Sequence, residues 1–183
     1  MLLRTVRIFS RSLYKLPGTG LPRISEMLRK KTARWAKAHP DNANVLIDNF
    51  CGNLKFHCDL SEHMGSQIFF KGNYSGGQLI VLRRLLREDS VFIDVGANQG
   101  EFTVCAAGLI APEKGAVVHA FEPVSTVRER LVRNVAANGF THVTIHSVGL
   151  SDATADDMPI YGADSAFADG TQNIGLPTLF GVE

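Results

Sequence analysis

Cysteine is scarce in this 183-residue chain. The three residues, Cys51, Cys58 and Cys105, form no C-x-x-C pair and are odd in number. That argues against a disulfide-stapled scaffold and suits a reducing cytoplasm, the expected location. Cys51, His57, Cys58 and His63 lie close together, but their spacing fits no common zinc pattern. On one continuous strand Cys51 and Cys58 would face opposite ways. Buried thiols and ordinary histidines are therefore the expectation, and no metal is assigned. Long apolar runs are missing too: nothing approaches the roughly 18 residues of a membrane span. The start lacks the apolar core of a secretory signal. G-x-x-x-x-G-K-[ST] does not occur, so no Walker-type nucleotide site is indicated. There is no internal repeat and no low-complexity tract.

Acidic residues are nearly absent from the head of the chain. Residues 1–39 hold ten Lys/Arg and a single acid, Glu26, for a net charge of +9; the rest hold nine basic and seventeen acidic groups, net −8. The opening stretch MLLRTVRIFSRSLYKL admits three readings: an organellar presequence, a basic helix on an anionic membrane or a partner, or a solvated leader.

What remains is enough for one ordinary globular domain. Two regions are expected: a basic, partly helical segment over 1–43 and an α/β domain over 44–183. A Pro/Gly-rich break at Pro17 to Pro22 precedes a basic amphipathic helix over 23–38, with an imperfect stripe of Ile24, Met27, Leu28, Ala33 and Trp35. Two short β runs flank a turn at Cys51-Gly52-Asn53. SQIFFKG reads as another short strand. Ser75-Gly76-Gly77-Gln78 fits a capping box ahead of a helix running to about Arg87, with Leu79, Leu82, Leu85 and Leu86 on one face. Strand then alternates with helix. VFIDVGA is a buried parallel strand and GEFTVCAAGLIA a helix. AVVHAFEP is a second strand, followed by a helix capped by Ser125, striped by Val127, Leu131 and Val135, and stopped at Gly139. HVTIHSVGL is a third strand. This order indicates a parallel sheet whose ligands bind beyond the carboxyl ends of its strands.

The turn after the first of these strands carries the chemistry. In Asp94-Val95-Gly96-Ala97-Asn98-Gln99-Gly100, Gly96 lets the chain leave the strand sharply and Gly100 admits close packing. The middle glycine of G-x-G-x-x-G is replaced by Asn98. Glu101 would also set a carboxylate against a pyrophosphate at the helix start. Both weaken a dinucleotide reading. About 20 residues on, Glu122 ends the second strand, where a carboxylate can accept from a ribose diol and would repel a 2′-phosphate. A nucleoside-type ligand without phosphate meets these constraints, and S-adenosylmethionine is one. Asp94 is placed for its ammonium, and the N–H groups of the turn for its carboxylate.

VFIDVGANQGEFT, then AFEP, then VGLSD resemble, in that order, the FkbM-type methyltransferases of the S-adenosylmethionine-dependent Rossmann-like class. IFFKGNYSGGQLIVLRRLL before the first strand is similar as well, and the likeness covers about Val45 to Phe180. It implies a class I methyltransferase sheet, with only its first three parallel strands and their helices visible here. It further implies O-methylation of hydroxyls on sugars or natural products. Residue by residue it places Asp94, Gly96, Asn98 and Gly100 in the cofactor loop, Glu122 on the ribose, Ser151 and Asp152 near the adenine, and Thr103 toward the methionine tail. The family continues with a fourth strand of the form I-K-x-D-x-E-G, not visible here, without which Val91–Val95 would present an open apolar edge. No catalytic residue is assigned: His119 and His146 read first as strand residues, and Asp156-Asp157 as a solvated acidic loop. The expected partners are a small-molecule or glycan acceptor, with no nucleic acid, and weak membrane-surface contact through 1–38. The alternatives are a non-catalytic, truncated cofactor-binding or partner module and, third, a nicotinamide-dependent oxidoreductase.

Overall fold

The computed structural model describes residues 2–14, 21–152, 165–166 and 171–173. Residues 17–20 of the Pro/Gly-rich break, Asp156-Asp157, and the segment beyond Asp152 apart from 165–166 and 171–173 lie outside that set. The chain divides into two compact units, Met1–Tyr74 with Asp164–Asn173, and Ser75–Ala163 with Ile174–Glu183.

The first unit opens with helices α1 (Leu2–Tyr14) and α2 (Leu21–Ala38). Strands β1 (Asn44–Phe50) and β2 (Leu54–Asp59) then pair antiparallel, as the two β runs predicted. Cys51 has a positive φ of 48° and Gly52 one of 115°, so the hairpin reverses through left-handed backbone. Phe50 and Phe56 pack at 4.6 Å between ring centroids, and both are fully buried.

SQIFFKG is helical here, not extended: it falls in α3 (His63–Lys71). The reason is non-local as well as local. The Glu62 carboxylate accepts from the backbone N–H groups of Met64 and Gly65, which fixes the helix start. Ile68, Phe69 and Phe70 are all buried, while the polar side of the helix, half-buried His63, Gln67 and Lys71, has only its last two members inside this short run, too few to show a helical period. Gly65 touches the preceding turn so closely that a Cβ there would sit 2.5 Å from the Asp59 carbonyl oxygen.

Helix α2 also turns a different face inward from the one its apolar residues suggest. Ser25, Arg29, Ala33 and Ala36 are buried, while Ile24, Met27 and Trp35 are exposed. Arg29 is tolerated inside because its guanidinium pairs with Glu26 and donates to Ser66 Oγ at 3.3 Å. Arg7 of α1 is likewise buried, donating from Nε to the Phe69 carbonyl at 3.0 Å and lying over the Phe69 ring. Burial first, and then the neighbouring Arg11, push its pKa down to about 10. Cys58 is a buried free thiol whose pKa is raised by that burial. Cys51 is not a free thiol, which corrects the expectation of a buried thiol there.

The second unit is α/β. Helix α4 (Gly76–Leu85) leads into strand β3 (Val91–Val95), helix α5 (Glu101–Ala107), strand β4 (Val117–Phe121), helix α6 (Ser125–Ala136) and strand β5 (Val143–His146). The strands form a parallel sheet in the order β3-β4-β5. That is the 3-2-1 half of a Rossmann-like sheet. One face, carrying Asp94, Val118 and Ala120, is buried, and α5 and α6 supply Val104, Val127 and Leu131 to the core. The other face of β3, carrying Val91, Ile93 and Val95, is exposed, so the strand is buried on one side only. Among the described residues β3 pairs only with β4.

Candidate functional site

The loop between β3 and α5 is held from the neighbouring strand. The Phe121 carbonyl oxygen, at the end of β4, accepts from both Gly96 N–H and Ala97 N–H at 3.0 Å. The chain then turns through Asn98 at φ 51°, a left-handed conformation that asparagine tolerates better than most residues. Asn98 Oδ1 accepts from Gln99 N–H at 2.8 Å, and the Ala97 carbonyl accepts from Gly100 N–H at 2.8 Å. Gly100 sits at φ 92°, and a Cβ there would lie 2.6 Å from Leu131 Cδ1 of α6. Glycine is therefore required twice over, by backbone and by packing.

Glu122 closes the arrangement. Its Oε2 accepts from Asn98 N–H at 2.9 Å and its Oε1 from Val124 N–H at 3.0 Å, and the side chain is buried. The carboxylate thus ties the β3 loop to the start of α6. Helix α6 has Val124 as its N-cap; Ser125, expected as the cap, is the first helical residue, and no side-chain cap bond forms. Arg128 donates to the Glu122 and Pro123 carbonyls at 2.9 and 2.8 Å, fixing the strand end from the helix side.

Asp94 points from β3 into the covered side of the sheet and is 8% exposed. Thr103 Oγ1 donates to its Oδ2 at 2.5 Å. Burial raises the Asp94 pKa above the usual carboxylate range; the Thr103 hydrogen bonds pull it back and the Glu122 charge pushes it further up. Two carboxylates therefore share one small region of negative potential.

All five N–H groups from Gly96 to Gly100 already donate within the protein. They are not held open for a ligand's carboxylate, and equally they form no phosphate cradle of the kind dinucleotide turns offer. Glu101 has a different position from the one that the pyrophosphate argument gave it. It is almost fully buried and accepts from Ser75 N–H through both oxygens, at 3.2 and 3.0 Å. It occupies the place that Gln78 would take in a reciprocal capping box, and Ser75 makes no side-chain cap bond to α4.

Ser151 and Asp152 are exposed on the loop beyond β5, where Ser151 Oγ donates to Asp152 Oδ1 at 3.1 Å. His119 and His146 hydrogen-bond to each other at 3.1 Å, and His146 stacks on Phe121 at 4.3 Å. By the alternation of strand residues this pair lies on the face opposite Asp94.

Sequence reasoning missed Gln99, Asn134 and Arg128. Gln99 and Asn134 are buried, and Asn134 Nδ2 donates to the Gln99 carbonyl at 2.8 Å, bracing the loop from α6. A signal existed: Asn134 interrupts the apolar stripe of Val127, Leu131 and Val135, and a polar residue at a core position usually has a specific partner.

No family model matches the sequence. Over 101 residues the chain is 35% identical to the AMB antimetabolite synthetase AmbE of Pseudomonas aeruginosa, a stretch that spans 55% of this chain and 4% of that protein. Among solved structures, similarity is found to P. horikoshii TYW2 in complex with MeSAdo, at 14% identity and a TM-score of 0.45, covering 70% of this chain and 50% of that one. It is found also to M. jannaschii TYW2 in complex with AdoMet, at 19% identity and a TM-score of 0.43, covering 56% of this chain and 42% of that one.

Proposed function

We propose that the unit beginning at Ser75 binds S-adenosylmethionine and serves methyl transfer, with a hydroxyl of a sugar or natural product as the acceptor. The observation that carries this reading is the joint at the ends of β3 and β4, where Glu122 holds Asn98 N–H while buried Asp94, braced by Thr103, lies within its electrostatic reach. Each Glu122 oxygen accepts one N–H and, as a carboxylate oxygen, keeps a second lone-pair site for a ribose hydroxyl. Burial raises the Asp94 pKa beyond what the Thr103 hydrogen bonds offset, and the ammonium of a methionine tail favours the ionised form there. The occupied loop N–H groups and the two carboxylates both disfavour a pyrophosphate. In this reading Gly96 and Gly100 shape the loop, and Ser151 and Asp152 stand toward the adenine, as the FkbM resemblance implies. The antimetabolite synthetase likeness supports a small natural-product acceptor rather than a nucleic acid.

One observation favours the non-catalytic alternative: the histidines of β4 and β5 are on the sheet face opposite Asp94, and they pair with each other. Calorimetric titration of the full chain decides the cofactor. S-adenosylmethionine is expected to bind at least tenfold more tightly than NAD, and a tenfold preference for NAD overturns the reading. Transfer of a labelled methyl group to oxygen of a hydroxyl acceptor then separates enzyme from binding module.

A further inference from the structure

The outward face of α2 is divided lengthwise into two rows. At 100° per residue, Arg23, Lys30, Arg34 and Lys37 follow one line along the helix, and Ile24, Met27 and Trp35 follow the adjacent one, which Lys31 interrupts. The three apolar side chains are 42%, 49% and 40% exposed. These rows are on the surface because the helix spends its inner face on Ser25, Arg29, Ala33 and Ala36. Glu26, the one acid within α2, pairs with the buried Arg29. Five cations, Arg23, Lys30, Lys31, Arg34 and Lys71, line an open groove of about 580 Å3 alongside this face, with Met27 and the single acid Glu26.

We infer that this face of α2 is a docking surface for an anionic lipid bilayer. A basic row beside an apolar row on one exposed helix face is the arrangement of an interfacial helix. The helix lies parallel to the membrane, the cations among the headgroups and Ile24, Met27 and Trp35 entering the acyl boundary. Tryptophan favours that boundary, since its ring is apolar with one polar edge. A nucleic acid would use the cations alone and leave exposed aliphatic side chains without a partner. The same is true of the acidic part of a second copy. The surface is independent of the proposed cofactor site.

Trp35 is the single tryptophan of the chain, so its fluorescence reports directly on the surface. The full chain is mixed with vesicles of neutral phosphatidylcholine, or of the same lipid with 30% phosphatidylserine, and bound protein is measured by sedimentation. Binding to the anionic vesicles, at least tenfold stronger than to the neutral ones, with a blue shift of Trp35 and weakening at high salt, is the expected result. Lys30→Glu with Arg34→Glu reduces it at least tenfold, and Ile24→Ser with Met27→Ser at least threefold, with far-UV circular dichroism unchanged. Equal or absent binding to the two vesicle types overturns the inference even if the variants fail to fold. So does a Trp35 spectrum that does not move. Tighter binding to a short RNA than to vesicles overturns it in favour of a nucleic acid, and salt-sensitive self-association without lipid binding overturns it in favour of a second copy.

Discussion

Replacing Glu122 by alanine tests the joint on which the site depends. The carboxylate is buried and accepts two backbone N–H groups, from Asn98 and Val124. Hydrogen bonds to a charged group contribute about 1.5–3 kcal/mol each, but truncation also lets water reach the freed N–H groups and relieves repulsion with Asp94. The net loss for the pair is then about 2–4 kcal/mol. Urea unfolding of the unit beginning at Ser75 is followed by far-UV circular dichroism, because Trp35 lies in the other unit. With a slope of about 2 kcal/mol/M, the midpoint falls by about 1–2 M. Amide exchange at Asn98 and Val124 accelerates more than elsewhere. Glu122→Gln is the control: either orientation of its amide turns an NH2 toward one of the two donors, so it loses about half as much. Affinity for S-adenosylmethionine falls separately, by about 1–3 kcal/mol, or roughly 5–150-fold, through the lost ribose bonds. A stability change under 0.5 kcal/mol for Glu122→Ala would refute the joint. Unchanged ligand affinity in a folded variant would refute the ribose contact while leaving the joint intact.

Two further outcomes follow from the same loop. The folded-state pKa of Asp94 is raised, so its charged form opposes folding; that cost is absent below the ordinary carboxylate range and fully present above the raised value. Asp94→Asn, whose amide oxygen still accepts from Thr103, should therefore be at least as stable as wild type at pH 7, while losing roughly tenfold or more in S-adenosylmethionine affinity. In the wild type that affinity should fall on acidification through the raised pKa, and a titration flat down to the ordinary carboxylate range would contradict the ammonium contact. Gly100→Ala adds about 1–2 kcal/mol of left-handed backbone cost to an overlap with Leu131 worth about 1–3 kcal/mol. A double-mutant cycle with Leu131→Ala should recover the overlap and not the backbone cost, and purely additive unfolding energies would show that α6 simply moves aside.

The alternation of strand and helix from Val91 to His146 was legible in the sequence because each element buries one face, and that periodicity is a local property. The residues at the strand ends were legible from composition: Asp94 and Glu122 are the acids at the ends of two apolar runs. Tertiary structure alone decided what those acids touch. Glu122 meets Asn98 because β4 lies beside β3, and Phe121 takes two loop N–H groups for the same reason, which closes the turn to a ligand's anion. Glu101 caps a helix 26 residues earlier in the chain, a pairing that no spacing rule records. SQIFFKG is helical because Glu62 fixes the helix start and Ile68, Phe69 and Phe70 are buried together, which a seven-residue run is too short to announce by its period. In α2 the chain placed Arg29 inside and Trp35 outside, against hydrophobicity, because Ser66 and Glu26 offer that one guanidinium its partners. Period and composition set where elements begin and end; the partners of a buried polar group are set by which elements come together in space.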